Sequence, residues 1–86
     1  KGGLDTLTKT LATELAPHIL VNGIAPAMIA PPESLSKEEI ESICRQTPLR
    51  RHGTAEDANN LVLYLIEGTD FATGSIFRID GGRFLE

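Results

Sequence analysis

The sequence predicts an α/β fold, part of a doubly wound parallel sheet with its elements in the order helix, strand, helix, helix, strand. Two β-rich runs, residues 19–25 and 75–79, read as strands, and the first is apolar on both faces, as a strand covered by helices on each side is. Between them lie about 50 residues of mostly helical pattern, the kind of crossover that joins parallel strands right-handedly. Two strands alone leave unpaired edges and an uncovered face, so the 86 residues read as a piece of a larger sheet that needs partners upstream.

Each element has its own signal. Leu4, Leu7, Leu11 and Leu15 recur at spacings of three and four, which puts them on one face of a helix that Pro17 ends. The first strand follows over residues 19–25, bounded by Pro17 and Pro26. After a Pro-rich loop to Pro32, Ser36 and Glu39 have the spacing of a capping box, and Leu35 with Ile40 that of a hydrophobic staple. A helix therefore starts there, with Ile40, Ile43 and Cys44 as its apolar stripe. Pro48 disfavours helix at Thr47, so it stops near Gln46.

Thr54 caps the next helix, with Glu56 and Asp57 at the positive end of its dipole and Ala58, Leu61, Val62 and Leu65 as its stripe. Gly68 stands where a helix end favours a left-handed residue, and Thr73-Gly74 marks a turn into the second strand. Asp80-Gly81-Gly82 ends that strand. Arg51, Glu56 and Asp57 read as a structural group, a helix N-terminus with carboxylates and a nearby guanidinium.

Composition removes several classes of function. The net charge of −4 and the scattered Lys and Arg residues lack the basic surface that phosphate-backbone contacts require, so no nucleic-acid partner is expected. The longest apolar stretch, residues 19–32, is broken by Asn22, Gly23, Pro26, Pro31 and Pro32, too interrupted for a spanning helix of about 20 apolar residues. The single cysteine, Cys44, excludes an internal disulfide, fits a reducing compartment and reads as a small buried hydrophobe. His18 and His52 are far apart without ligand-type neighbours, so no metal site is expected.

In open α/β sheets, ligands bind beyond the carboxyl ends of the strands, which here means Ala25-Pro26-Ala27-Met28-Ile29. Four segments then carry a family resemblance. Val21-Asn22-Gly23-Ile24-Ala25-Pro26-Ala27 resembles the V-N-x-I-x-P-G segment of short-chain dehydrogenases/reductases. Lys1, followed by Leu4, Leu7, Thr8, Leu11, Ala12, Glu14 and Leu15, looks like that family's Y-x-x-x-K helix, with the tyrosine expected four positions before Lys1. The segment from Thr47-Pro48-Leu49 through Arg51-His52-Gly53 to Glu56-Asp57 is similar to P-L-x-R-x-G-x-P-E-E. Thr73-Gly74 through Asp80-Gly81-Gly82 matches the T-G-x5-D-G-G ending. The resemblance covers the whole chain, and the loop from Ala25 to Glu33 with the terminal Asp80-Gly81-Gly82-Arg83 is similar to bacterial pteridine reductase-like members.

The resemblance implies that residues 1–86 are the C-terminal part of a single Rossmann-like, NAD(P)-binding domain whose N-terminal cofactor-binding half is absent. It implies an oxidoreductase that uses NADPH, with NADH as the alternative, to pass hydride to a C=O or C=N group of a small-molecule substrate, as in a pteridine reductase. The same segments occur in 3-oxoacyl-thioester reductases and other alcohol dehydrogenases, and an inactive scaffold member is a further alternative. Lys1 would be catalytic and would bind the nicotinamide ribose, its ammonium lowering the tyrosine pKa. Pro26, Ala27 and Ile29 would form a backbone cradle for the nicotinamide carboxamide, with the Ile29 N–H as donor, while Met28 would line the substrate side. Arg83, beyond the last strand, would reach substrate in a neighbouring subunit of a cytoplasmic homotetramer; its plain reading is a solvent-exposed terminal residue. The fragment alone is expected to be inactive without a companion segment carrying the upstream half.

The chain departs from the family pattern in places. Ala27 replaces a Gly, which is tolerable where the backbone needs no positive φ. Pro31 stands where many members have a cofactor-bonding Thr, Leu20 replaces a common Arg, and Ala58-Asn59 replaces a common Ile-Ala pair.

Overall fold

The computed structural model describes residues 2–85. Helix α1 spans Gly2–Leu15, strand β1 Gly23–Pro26, helix α2 Lys37–Gln46, helix α3 Ala55–Leu63 and strand β2 Ile76–Ile79. A π-helical turn, Tyr64–Gly68, continues α3. The two strands pair in parallel, with Gly23 opposite Ile76 and Pro26 opposite Ile79, as the long helical crossover requires.

Strand β1 is shorter than the apolar run that predicts it. Residues 19–22 precede the ladder because β2 starts only at Ile76, and they are tied instead to the loop before it. The Val21 N–H donates to Thr73 Oγ1 at 3.0 Å, and the Gly74 N–H donates to the Val21 carbonyl at 2.7 Å. Asn22 completes the tie. Its Nδ2 donates to the Ala72 carbonyl at 2.8 Å and its Oδ1 accepts from the Ser75 N–H at 3.1 Å, so one side chain satisfies two backbone groups of the loop.

Helix α1 buries small residues rather than its leucines. Leu4, Leu7, Leu11 and Leu15 are exposed, and the face turned inward carries Thr8 and Ala12, each 4% exposed. These two small residues stand four apart on one face, so the helix backbone approaches the sheet closely. The leucine periodicity identifies the helix correctly, and its stripe adjoins the Thr8–Ala12 face but is not covered by the described residues. Together with exposed Ile19 and Leu20 it leaves an apolar surface that the described residues do not cover.

Both capping boxes form. The Ser36 hydroxyl accepts from the Glu39 N–H at 3.0 Å while Glu39 Oε1 accepts from the Ser36 N–H at 2.7 Å. Thr54 and Asp57 repeat the exchange at α3, an aspartate doing what a glutamate usually does. Ile40, Ile43 and Cys44 of α2 are half-buried, so the cysteine is less enclosed than its residue type suggests. On α3 the inward stripe holds for Ala58, Leu61 and Leu65, whereas Val62 is exposed.

Gly68 departs from expectation. It is not among the glycines with positive φ, and the helix ends through the π-helical turn instead. What a side chain at Gly68 would meet is the Tyr64 ring, whose Cγ lies 3.2 Å from the Cβ position. The last turn does follow expectation: Gly81 and Gly82 have φ of 63° and 84°, and Asp80 Oδ1 accepts from the Gly82 N–H at 2.9 Å. Thr47, 4% exposed, packs beneath this turn, its methyl 2.7 Å from where a Cβ on Gly81 would sit.

Candidate functional site

Parallel strands point their carboxyl ends the same way, so the segments leaving β1 and β2 meet at one edge of the sheet. There they enclose a cleft of about 390 Å³. Its walls include Ala27, Met28 and Ile29 from the loop after β1, Thr47 and His52 from the segment between α2 and α3, and Gly81 from the turn after β2. Of the residues singled out in the sequence, Ala27, Met28 and Ile29 come together in the cleft. Pro26 is the last residue of β1, paired with Ile79, and is not in the lining. Lys1 lies outside the described residues. Arg83 is half-buried and outside the cleft lining, its guanidinium 5.6 Å from the centre of the Phe84 ring, so it is not the freely exposed terminal residue of the plain reading.

The loop after β1 has an unusual backbone. The Ala27 N–H donates to the Ile79 carbonyl at 2.9 Å, extending the ladder by one bond, and Ala27 itself does not have positive φ. Alanine is therefore tolerated where the family pattern has glycine. The left-handed residues are the next two but one apart, Met28 at φ 54° and Ala30 at φ 52°. For residues with a Cβ this conformation costs about 1–2 kcal/mol each, so neighbouring contacts must hold it.

Those contacts come from the segment before α3. The Gly53 N–H donates to the Met28 carbonyl at 2.9 Å, the Ala30 N–H donates to the Gly53 carbonyl at 3.1 Å, and Ile29 and Gly53 form a parallel bridge. The N–H of Ile29 itself has no acceptor among the described residues. A backbone donor between two left-handed residues, at the ligand-binding edge of a parallel sheet, suits a carbonyl-type acceptor from outside the chain. The residues present thus fit a coenzyme carboxamide.

The charged group that the sequence assigns to structure, Arg51 with Asp57, also lines the cleft. Arg51 Nη1 donates to Asp57 Oδ2 at 2.8 Å and to the His52 carbonyl at 3.0 Å, and Arg51 Nη2 lies 3.3 Å from Asp57 Oδ1. Asp57 Oδ2 also accepts from the Thr54 N–H at 2.8 Å and from its hydroxyl at 3.2 Å. The Arg51 guanidinium, then the Thr54 N–H, hold the Asp57 carboxyl well below the usual carboxylate range, and the same hydrogen bond raises Arg51 further. Glu56 takes no part in these bonds. Thr54 followed three residues later by an acidic residue is the signal that could have assigned Asp57 to the cap.

Among the described residues no group of three or more His, Cys, Asp or Glu side chains could hold a metal ion. No described helix is long and apolar enough to cross a membrane.

Residues 1–83 match the family model described as enoyl-(acyl carrier protein) reductase. The chain is 41% identical to the 3-oxoacyl-[acyl-carrier-protein] reductase FabG of Aquifex aeolicus, over 98% of this chain and 36% of that protein. It is 34% identical to the dihydromonapterin reductase of Citrobacter koseri, over 99% of this chain and 35% of that protein. A short-chain dehydrogenase/reductase from Brucella melitensis superposes with a TM-score of 0.89 at 31% identity, covering all of this chain (100%) and 36% of that one. The chain thus spans about a third of the length of the curated relatives it matches.

Proposed function

Since the chain belongs to the short-chain dehydrogenase/reductase family, we propose that the whole protein is an NADPH-dependent reductase acting on a C=O or C=N group of a small molecule. The observation that carries this reading is the Ile29 N–H, without an acceptor among the described residues and held between left-handed Met28 and Ala30 at the carboxyl end of β1. The coenzyme, when bound, supplies the hydride. Ile29 would donate its N–H to the carboxamide, and Ala27 beside it in the cleft, with Pro26 ending the strand, would set the loop at the sheet edge. Lys1 would hold the ribose and keep the pKa of the upstream phenol down, so that this phenol could give its proton to the substrate. Met28 faces the substrate. Arg83 offers a guanidinium to the substrate of a neighbouring subunit in a homotetramer of the cytoplasm.

The substrate reading is a dihydropterin. The loop from Ala25 to Glu33 supports it, as does the similarity to a dihydromonapterin reductase. A second reading, a 3-oxoacyl thioester, is favoured by the 41% identity to a 3-oxoacyl-[acyl-carrier-protein] reductase. The test is oxidation of NADPH and NADH by the whole protein, with a dihydropterin and with an acetoacetyl thioester. The expected result is faster oxidation of NADPH, with the dihydropterin as the better substrate. A preference for the thioester moves the assignment to the second reading, and the absence of both coenzyme binding and oxidation overturns the reductase reading.

A further inference from the structure

The geometry points to Arg51 and Asp57 as positioning residues for the coenzyme loop: through the 51–54 segment they aim the Ile29 N–H. This inference rests on the coenzyme reading above.

A continuous set of bonds links the pair to the loop. Asp57 sits in the first turn of α3 and grips Thr54 by its N–H at 2.8 Å and its hydroxyl at 3.2 Å. Arg51 bonds the same carboxylate on one side and the His52 carbonyl, at 3.0 Å, on the other. Residues 51–54 are thereby clamped against the start of a helix, a rigid element. From that clamp, Gly53 gives one backbone hydrogen bond to Met28 at 2.9 Å and takes one from Ala30 at 3.1 Å. These are the two left-handed residues that flank Ile29. A strained loop keeps its conformation only where its surroundings over-determine it, and the clamp supplies that constraint from the wall of the same cleft, which Arg51 and Asp57 also line.

Two features separate this role from ordinary stabilisation. The Arg51 and Asp57 side chains are 57% and 31% exposed, a setting in which an ion pair adds little to global stability. The geometry is a fork: Arg51 reaches a carboxylate and a carbonyl with separate N–H directions, which the single ammonium of lysine cannot reproduce.

The experiment uses Arg51→Lys and Asp57→Asn in the whole protein. Equilibrium binding is measured for the reduced coenzyme and for its thionicotinamide analogue, whose C=S accepts a hydrogen bond poorly. Thermal midpoint and backbone hydrogen exchange across residues 26–31 are followed without coenzyme. Both variants are expected to bind the normal coenzyme about tenfold more weakly, the scale of loss for a misplaced binding group. They should bind the thio analogue with nearly wild-type affinity, keep a near wild-type melting midpoint and exchange faster in the loop. Equal weakening for both coenzymes, or no weakening for either, overturns the positioning role while leaving the reductase reading intact. Wild type that binds neither coenzyme overturns the reading itself, and this inference with it.

Discussion

Asn22 and Ser75 are joined across the chain: the Ser75 N–H donates to Asn22 Oδ1 at 3.1 Å, while Asn22 Nδ2 holds the Ala72 carbonyl at 2.8 Å. This clamp sets the entry to both strands at once, one residue before Gly23 and one before Ile76. Asn22→Ala should therefore lower the stability of the whole protein by about 1–3 kcal/mol, the cost of leaving partly buried backbone groups unpaired. Asn22→Asp should cost more than Ala, because it keeps the acceptor but sets a carboxylate against the Ala72 carbonyl. Denaturant unfolding of the three proteins checks the order.

Gly81 combines a φ of 63° with a Cβ position 2.7 Å from the Thr47 methyl. Gly81→Ala should destabilise by about 2 kcal/mol, since the left-handed penalty is joined by a contact that Thr47 or the turn must yield to. Coenzyme affinity should be less affected than stability. A midpoint equal to wild type in chemical denaturation would rule out the packing of residue 47 under this turn.

The pH response of the Arg51–Asp57 pair has a definite sign. Asp57 is depressed in the folded protein by Arg51 and then Thr54, so its contribution is fully present above the ordinary aspartate value of 3.8 and is lost as pH falls towards the lower folded value. Arg51 is raised above its ordinary, already strongly basic value, so its contribution is full throughout the neutral range and is lost only at extreme alkaline pH. The stability difference between wild type and Asp57→Asn should thus be small, flat from about pH 5 to 9, and shrink further only in acid. Thermal melts across that range measure it, and a step near neutrality would contradict the assignment.

Lys1→Ala in the whole protein should lower turnover at least about 100-fold, the lower range for a positioned acid/base contribution, with little change in melting midpoint. Lys1→Arg should not restore it, because a planar guanidinium presents its charge and donors differently. Steady-state kinetics with saturating coenzyme separate this loss from weaker binding.

Much of this architecture is written locally. Ser36 with Glu39 gives the start of α2, Pro48 gives its end, and Asp80-Gly81-Gly82 stops β2, because caps and turns depend on residues a few positions apart. Burial is less legible. The leucine stripe of α1 has the right period, but period says only that one face is apolar, and here the small Thr8 and Ala12 face the sheet. The start of β1 could not be read from residues 19–25, since a ladder extends only as far as its partner, and β2 begins at Ile76. The candidate loop was placed by its position after a strand. Its left-handed Met28 and Ala30 were not foreseen, because neither residue type signals positive φ and the contacts that hold them come from Gly53. Arg51 and Asp57 read as structure in the sequence. Their hydrogen bonds connect that structure to the loop.

The Asn22–Ser75 bond spans 53 residues, and the strand pairing it introduces is just as distant. At a synthesis rate of about 5–20 residues per second, β1 waits roughly 3–10 s on the ribosome before β2 exists. During that time the strand has no downstream neighbour, and loop closure must precede any gain from the ladder. The nascent chain is therefore most open to misassembly between the two strands, and a ribosome stalled within α3 would hold β1 with one edge free until a chaperone or a released tail covers it.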